Sequence, residues 1–207
     1  MMKTICIALT DLSYGGKGPR TTRGFEAREA VGVRASVFWG IHAERLGLRS
    51  DRLYTLDGPP GSYLEPKIVG CWLSHRALWA ACLLLSHEEF LLIEDDASFP
   101  VDWAQRMHRA LQDTPKGWDF INLGPCCAMD KTKTHVQGEI YEIPDAMCLH
   151  AYCVTRNGLA TLIKTQDAVG CGEPIDISVS RHSLPHMRAY AVLPRIVEQL
   201  DMPDLVR

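Results

Sequence analysis

The run Phe90-Leu91-Leu92-Ile93 ends abruptly on Glu94-Asp95-Asp96-Ala97, so an apolar stretch without polar alternation meets three consecutive carboxylates. Such a run suits a strand buried on both faces. The anions just beyond it must reach solvent or a cation, because burying them uncompensated is prohibitive. The triplet is therefore expected at a strand end facing a cleft. Period-two geometry sends Glu94 and Asp96 to one side and Asp95 to the other, which presents paired oxygen ligands to a hard divalent cation. A solvated acidic turn is the alternative reading.

Two further groups carry polar chemistry. Ser74 and His75 are adjacent on a helix predicted from about Pro66 to Ser86, and neighbours on a helix diverge by roughly 100 degrees, so they cannot pair as nucleophile and base. They either donate hydrogen bonds to a ligand, or are a hydroxyl bonded back to the helix and a satisfied core histidine. The segment Ser13-Tyr14-Gly15-Gly16-Lys17-Gly18-Pro19-Arg20 must be a loop. With Lys17, Arg20 and Arg23 it is either a phosphate-facing loop or a plain surface connection, since its spacing matches neither a Walker loop nor a GxGxxG fingerprint.

The elements that must position these residues alternate between short apolar strands and amphipathic helices, which predicts an α/β layered fold. Strands are expected at Thr4 to Leu9, Ser36 to Trp39, Phe90 to Ile93, Asp119 to Leu123, Glu139 to Ile143, Ala151 to Thr155 and Arg188 to Leu193. Val69, Trp72, Leu73, Ala77, Ala80 and Leu84 recur at helical intervals and are expected as the buried stripe of the 66–86 helix. At 207 residues, 46% hydrophobic and 23% charged, the chain reads as a single globular domain over 1–207. A net charge of -3 leaves no broad footprint for nonspecific polyanion binding.

No apolar stretch is long enough to span a bilayer, and the N-terminus reads as a first strand rather than a signal peptide. The 8 cysteines form no CxxC pair, and several lie within apolar runs. A reduced, cytoplasmic protein is the expectation, with neither a disulfide framework nor a structural zinc site.

Taken in order, Ile68-Val69-Gly70-Cys71-Trp72-Leu73-Ser74-His75, Leu91-Leu92-Ile93-Glu94-Asp95-Asp96-Ala97, Trp118-Asp119-Phe120-Ile121-Asn122-Leu123-Gly124, His150-Ala151-Tyr152-Cys153-Val154-Thr155 and Pro174-Ile175-Asp176-Ile177 resemble glycosyltransferase family 25. That family includes lipooligosaccharide biosynthesis glycosyltransferases and collagen hydroxylysine galactosyltransferases. The resemblance implies a GT-A-like, Rossmann-related fold with a mixed, mostly parallel sheet flanked by helices. It also implies transfer of a sugar from a nucleotide-sugar donor, a UDP-sugar foremost, to an acceptor hydroxyl on a saccharide, a protein or a hydroxymethylated nucleic-acid base.

By the same likeness Glu94, Asp95 and Asp96 stand for the family's DxD-type element, with Asp96, Glu94 and His150 as ligands to manganese or magnesium. A metal bridging the leaving diphosphate would stabilise the charge that accumulates there. Ser74, His75, Glu94, Asp95, Arg20 and Arg23 are the expected donor contacts. Asp176 is the expected general base of an inverting reaction, with Glu173 and Asp145 in reserve; a helix-cap aspartate is its competing role.

The chain departs from the pattern in two places. Where the family has I-N-L-x-R-x-x-R, Ile7-Ala8-Leu9-Thr10 runs on to Arg20 and Arg23. Where it has an acidic D-G, Trp39-Gly40-Ile41-His42 stands, so either His42 or Glu44 replaces that contact or the contact is missing. Trp39, Trp103 and Trp118 are candidate stacking platforms if exposed. Two rivals remain: a catalytically silent relative that binds a nucleotide sugar or glycan, and a metal-dependent phosphohydrolase or nucleotidyltransferase.

Overall fold

Alternation along residues 89–94 shows why this segment is a strand. Phe90 and Leu92 enter one apolar cluster, while Leu91 and Ile93 enter a second on the opposite face of the sheet. The computed structural model describes residues 2–8, 10–11, 16–17, 26, 28–47, 64–126, 133–144 and 148–200. Its strands are β1 (Lys3–Ala8), β2 (Thr10–Asp11), β3 (Gly16–Lys17), β4 (Ser36–Trp39), β5 (Glu89–Glu94), β6 (Ala97–Ser98), β7 (Phe120–Asn122), β8 (Thr134–Gln137), β9 (Ile140–Glu142), β10 (Ala151–Thr155), β11 (Ala189–Val192) and β12 (Glu198–Gln199). Every strand expected from the sequence is present, within a residue or two at each end. The hairpin strand β8 and the two-residue strands escaped the pattern.

Eight strands pair in the order β4-β1-β5-β10-β7-β11-β9-β8. The β1–β4, β1–β5 and β7–β11 pairs are parallel, and β9 and β10 run against the others, so the sheet is mixed and mostly parallel in direction. Helices α1 (Pro66–Leu83) and α3 (Arg156–Val169) cover one face through Leu78, Trp79, Leu159 and Leu162. Helix α2 (Trp103–Asp113) covers the other with Met107 and Ala110. A one-turn helix, α4 (Ile175–Ser178), follows α3. No described helix is long and apolar enough to cross a membrane.

The packing corrects two expectations. Helix α1 ends at Leu83, Leu84 is 88% exposed, and Ala77 and Ala80 are only half-buried, whereas Val69, Trp72, His75, Leu78, Trp79 and Cys82 are buried. The helix packs against both the sheet and its neighbour α3 and is apolar on most sides, so apolar periodicity does not locate its inner face. That face also carries the polar His75. The second correction concerns the cysteines: Cys126 and Cys148 form a disulfide. One follows β7 and the other precedes β10, and these strands pair side by side, a proximity that linear spacing does not reveal.

Candidate active site

Strands β4, β1 and β5 are mutually parallel, so their carboxyl ends lie on one edge of the sheet. From β1 the chain goes to β4 on one side and then to β5 on the other. This reversal of strand order leaves a crevice outside the carboxyl ends, where open α/β sheets bind ligands. A cleft of about 470 Å³ lies there, lined among others by Ile7, Ile41, Glu94 and Asp95 from the strand ends, Cys71, Ser74 and His75 from α1, and Cys148, His150, Asp176 and Gln199.

Strand parity aims Glu94 at α1. Residues 90 and 92 face the cluster that holds Trp79 and Tyr152, and Glu94 continues that side beyond the apolar run. A polar chain links it to the core. Trp79 Nε1–H donates to Tyr152 Oη at 2.8 Å, Tyr152 lies 3.0 Å from His75 Nδ1, and His75 Nε2 lies 2.9 Å from Glu94 Oε1. Indole is a donor only, so the phenol accepts from Trp79 and turns its own proton to Nδ1, leaving Nε2–H to donate to Glu94. Burial holds the Tyr152 pKa well above its ordinary value, so the phenol keeps that proton. Cys71 Sγ–H reaches the same Glu94 oxygen at 3.8 Å. Burial first, then the charges of Glu94 and Asp176, push this thiol above the ordinary range.

Ser74 is used structurally. Its hydroxyl donates to Gly70 O at 2.6 Å and accepts from Ile41 N–H at 2.7 Å, tying the loop after β4 to α1. Gly70 is required at this seam, because a Cβ there would meet Ile41 O at 2.6 Å. His42, on the same loop, lines the cleft, and its buried Nε2 has no hydrogen-bond partner among the described residues.

The acidic triplet does not alternate as expected. Strand β5 ends at Glu94 and residues 95–96 form a turn, so period two lapses. Glu94 and Asp95 line the cleft, whereas Asp96 does not; it is 1% exposed and accepts from Gln199 Nε2 at 2.7 Å. Arg28, buried and 67 residues from Asp95, donates to the backbone oxygens of Glu94 and Asp95 at 3.4 and 3.2 Å and so fixes the strand end.

His150 packs on Gly124, where any Cβ would overlap its ring. Its Nε2–H donates to Val197 O at 3.2 Å, and its buried Nδ1 has no partner among the described residues. Burial lowers its pKa, so the ring is neutral near pH 7. Asp176 Oδ1 accepts from Ile177 N–H at 2.9 Å, and its Oδ2 accepts from Cys148 N–H at 3.3 Å.

The cleft thus gathers Ser74, His75, Glu94, Asp95, His150 and Asp176. The reserve Glu173 is paired with Arg181 and His182. Arg20, Arg23 and Asp145 lie outside the described residues, as do the side chains of Lys17 and Glu44. Of the tryptophans, Trp39 is 52% exposed, Trp103 is half-buried with Nε1–H on Val31 O, and Trp118 is buried. Sequence reasoning missed Cys71, Arg28, Tyr152, Trp79 and Gln199. For Cys71 the signal was its i, i+4 spacing to His75; for Arg28 no local signal exists.

Comparison with known proteins agrees with the motifs. Residues 61–138 match the model of "Glycosyltransferase family 25 (LPS biosynthesis protein)". A "Glycosyltransferase 25 family member" of Anopheles gambiae is 28% identical over 102 residues, covering 47% of this chain and 17% of that protein. The Homo sapiens "Inactive glycosyltransferase 25 family member 3" is 32% identical over 81 residues, covering 38% of this chain and 14% of that protein. The chain therefore spans less than a fifth of these relatives' length. Among solved structures, a glycosyltransferase involved in glycosylating the major capsid of PBCV-1 superposes with a TM-score of 0.52 at 7% identity, over 97% of this chain and 94% of that one. The inositol-1-phosphate CTP transferase of T. maritima gives 0.52 at 14%, over 100% and 92%. A UDP-glucose pyrophosphorylase complexed with UDP-glucose gives 0.51 at 14%, over 93% and 90%. These likenesses bear out the GT-A-like fold.

Proposed function

We propose that this chain, a member of glycosyltransferase family 25 through its 61–138 segment, transfers a sugar from a nucleotide-sugar donor, a UDP-sugar foremost, to an acceptor hydroxyl with inversion. The observation that carries the reading is the meeting of Glu94 and Asp176, carried by β5 and α4, in one cleft at the carboxyl ends of the parallel strands. The solved relative of this fold that holds UDP-glucose supports the donor class.

Asp176 is the general base. A carboxylate held by two backbone N–H groups keeps a fixed direction while its remaining lone pairs take the acceptor's proton. The acceptor oxygen then bonds to the anomeric carbon as the bond to the diphosphate breaks, and the nucleoside diphosphate leaves with the electron pair. Glu94, oriented by His75, accepts hydrogen bonds from donor hydroxyls, and His150 Nδ1 offers a further acceptor. Ser74 acts through Ile41 and is a positioning residue.

A divalent cation would neutralise the leaving diphosphate. The ligand set expected for manganese or magnesium does not fit it here: Asp96 is not among the residues that line the cleft and accepts from Gln199, and Glu94, Asp96 and His150 do not bring their ligand atoms within 4.8 Å of one another.

The test is a panel of nucleotide sugars with simple saccharide acceptors, followed by product analysis. Release of nucleoside diphosphate together with a new glycoside is the expected result. Pyrophosphate or nucleoside monophosphate as product would replace transfer with nucleotidyl or phosphohydrolase chemistry. The relative designated inactive favours one second reading, a silent nucleotide-sugar-binding module; donor binding without turnover on any acceptor would establish it.

A further inference from the structure

Cys71 and His75 stand at i and i+4 on α1, the spacing that stacks two side chains on one helix face, and strand parity aims Glu94 at that face. Cys71 Sγ, His75 Nε2 and Glu94 Oε1 consequently all lie within 4.8 Å of one another. No other group of three His, Cys, Asp or Glu side chains does so among the described residues. All three residues line the cleft.

The geometry points to a metal site of the zinc class, in which Cys71, His75 and Glu94 bind a thiophilic divalent cation and the fourth position opens to the cleft. Three protein ligands with one open position is the arrangement of a reactive rather than a structural zinc centre, and a thiolate selects zinc over magnesium or manganese. Tetrahedral bonds to sulfur, nitrogen and oxygen set ligand atoms roughly 3.3–3.6 Å apart. The sulfur–oxygen separation of 3.8 Å is close to that, and the nitrogen–oxygen pair at 2.9 Å must widen by about half an ångström.

The outer support is already built. A metal-bound imidazole donates its other N–H to a fixed partner, and His75 Nδ1 lies 3.0 Å from the Tyr152 hydroxyl, which Trp79 holds from behind at 2.8 Å. On binding, Sγ bonds to the ion and its proton passes to solvent. The ring takes the Nδ1–H tautomer so that Nε2 can ligate, the Tyr152 hydroxyl turns its proton aside and accepts from Nδ1–H instead of donating to it, and one proton is released per ion. This site runs against the sequence-based expectation of no zinc, which considered only the spacings of closed structural sites. It does not depend on the transfer reading.

Cobalt(II) titration of the metal-free, full-length protein tests it, read by absorption without sugar or nucleotide. A thiolate-to-cobalt charge-transfer band that saturates near one equivalent, is displaced by zinc and is lost in Cys71→Ser is the expected result. Absence of the band in the wild-type protein, or its survival in Cys71→Ser, overturns the site. Should Cys71→Ser fail to fold, zinc must slow alkylation of Cys71 in the wild-type protein more than that of half-buried Cys171; equal rates overturn the site. The spectrum needs no substrate, so a protein that shows the band but transfers no sugar loses only the transferase reading.

Discussion

Glu94 and Asp176 are carboxylates of one cleft, yet the structure holds them by different means. Glu94 extends a central strand and is tied through His75 and Tyr152 to Trp79 in the core, so its position follows from regular secondary structure and a buried side-chain chain. Asp176 sits on a one-turn helix and is aimed by two backbone N–H groups, one belonging to Cys148, which a disulfide ties to the end of β7. The strand-end wall is built to stay fixed, and the loop wall depends on a covalent tie. A reaction that must admit and release a large acceptor is served by that division, with its base on the side made of loops.

Asp176→Asn breaks the comparison most severely. It keeps the shape and removes the proton acceptor, so transfer should fall at least ~100-fold while donor affinity changes by no more than a few-fold. Single-turnover transfer beside donor titration checks it. If affinity collapses instead, Asp176 belongs to the binding wall and the base must be sought elsewhere.

Cys148→Ser loosens only the loop wall. Removing a link across a sequence separation of 22 residues should cost about 3 kcal/mol of stability, read as a lower urea midpoint. It should also raise KM for the acceptor as the Cys148 N–H to Asp176 contact relaxes. The cobalt spectrum of the strand-end wall should be unchanged; a changed spectrum would mean that the two walls are mechanically one.

Tyr152→Phe is the matching cut in the other wall. It strands the Trp79 indole N–H and removes the partner of His75 Nδ1, both buried, at about 1–3 kcal/mol. The same change should weaken zinc binding about tenfold or more by removing the outer partner of His75. Wild-type stability and zinc affinity in this variant would leave the Trp79–Tyr152–His75 chain without an energetic role.

The same division explains what could be read from the sequence. Apolar runs located the core strands because strands such as β5 are buried on both faces, and the carboxylates at the end of β5 could then be assigned to a cleft. Glu94 was legible on that ground. Asp96 was misdirected because a turn at 95–96 cancels the alternation that a longer strand would have kept. Gly70 and Ser74 are motif letters whose reason lies in Ile41, 33 residues before Ser74, a separation that helical periodicity cannot express. Arg28 and the Cys126–Cys148 link depend on the order of strands in the sheet, which no local pattern contains. Asp176 was reached only through the family likeness, and the structure supplies the backbone contacts that orient it.

The smallest expected effect belongs to His150, which lines the cleft from the entry to β10. Burial lowers its pKa from the ordinary 6.5, and the bond to Val197 O opposes that shift only in part. The unfolded chain therefore binds this proton at a higher pH than the folded one does, so stability rises with pH between the two values. The contribution is complete above about 6.5 and is lost as the pH falls from there toward the lowered folded-state value. Urea midpoints should accordingly be level above neutrality and decline on acidification. Other histidines titrate in the same range, so the reading lies in the difference between proteins: His150→Gln should show the shallower decline. An identical slope in the variant would mean that the cleft hydrates this ring, and that its Nδ1 meets solvent rather than waiting, neutral and dry, for a ligand hydroxyl.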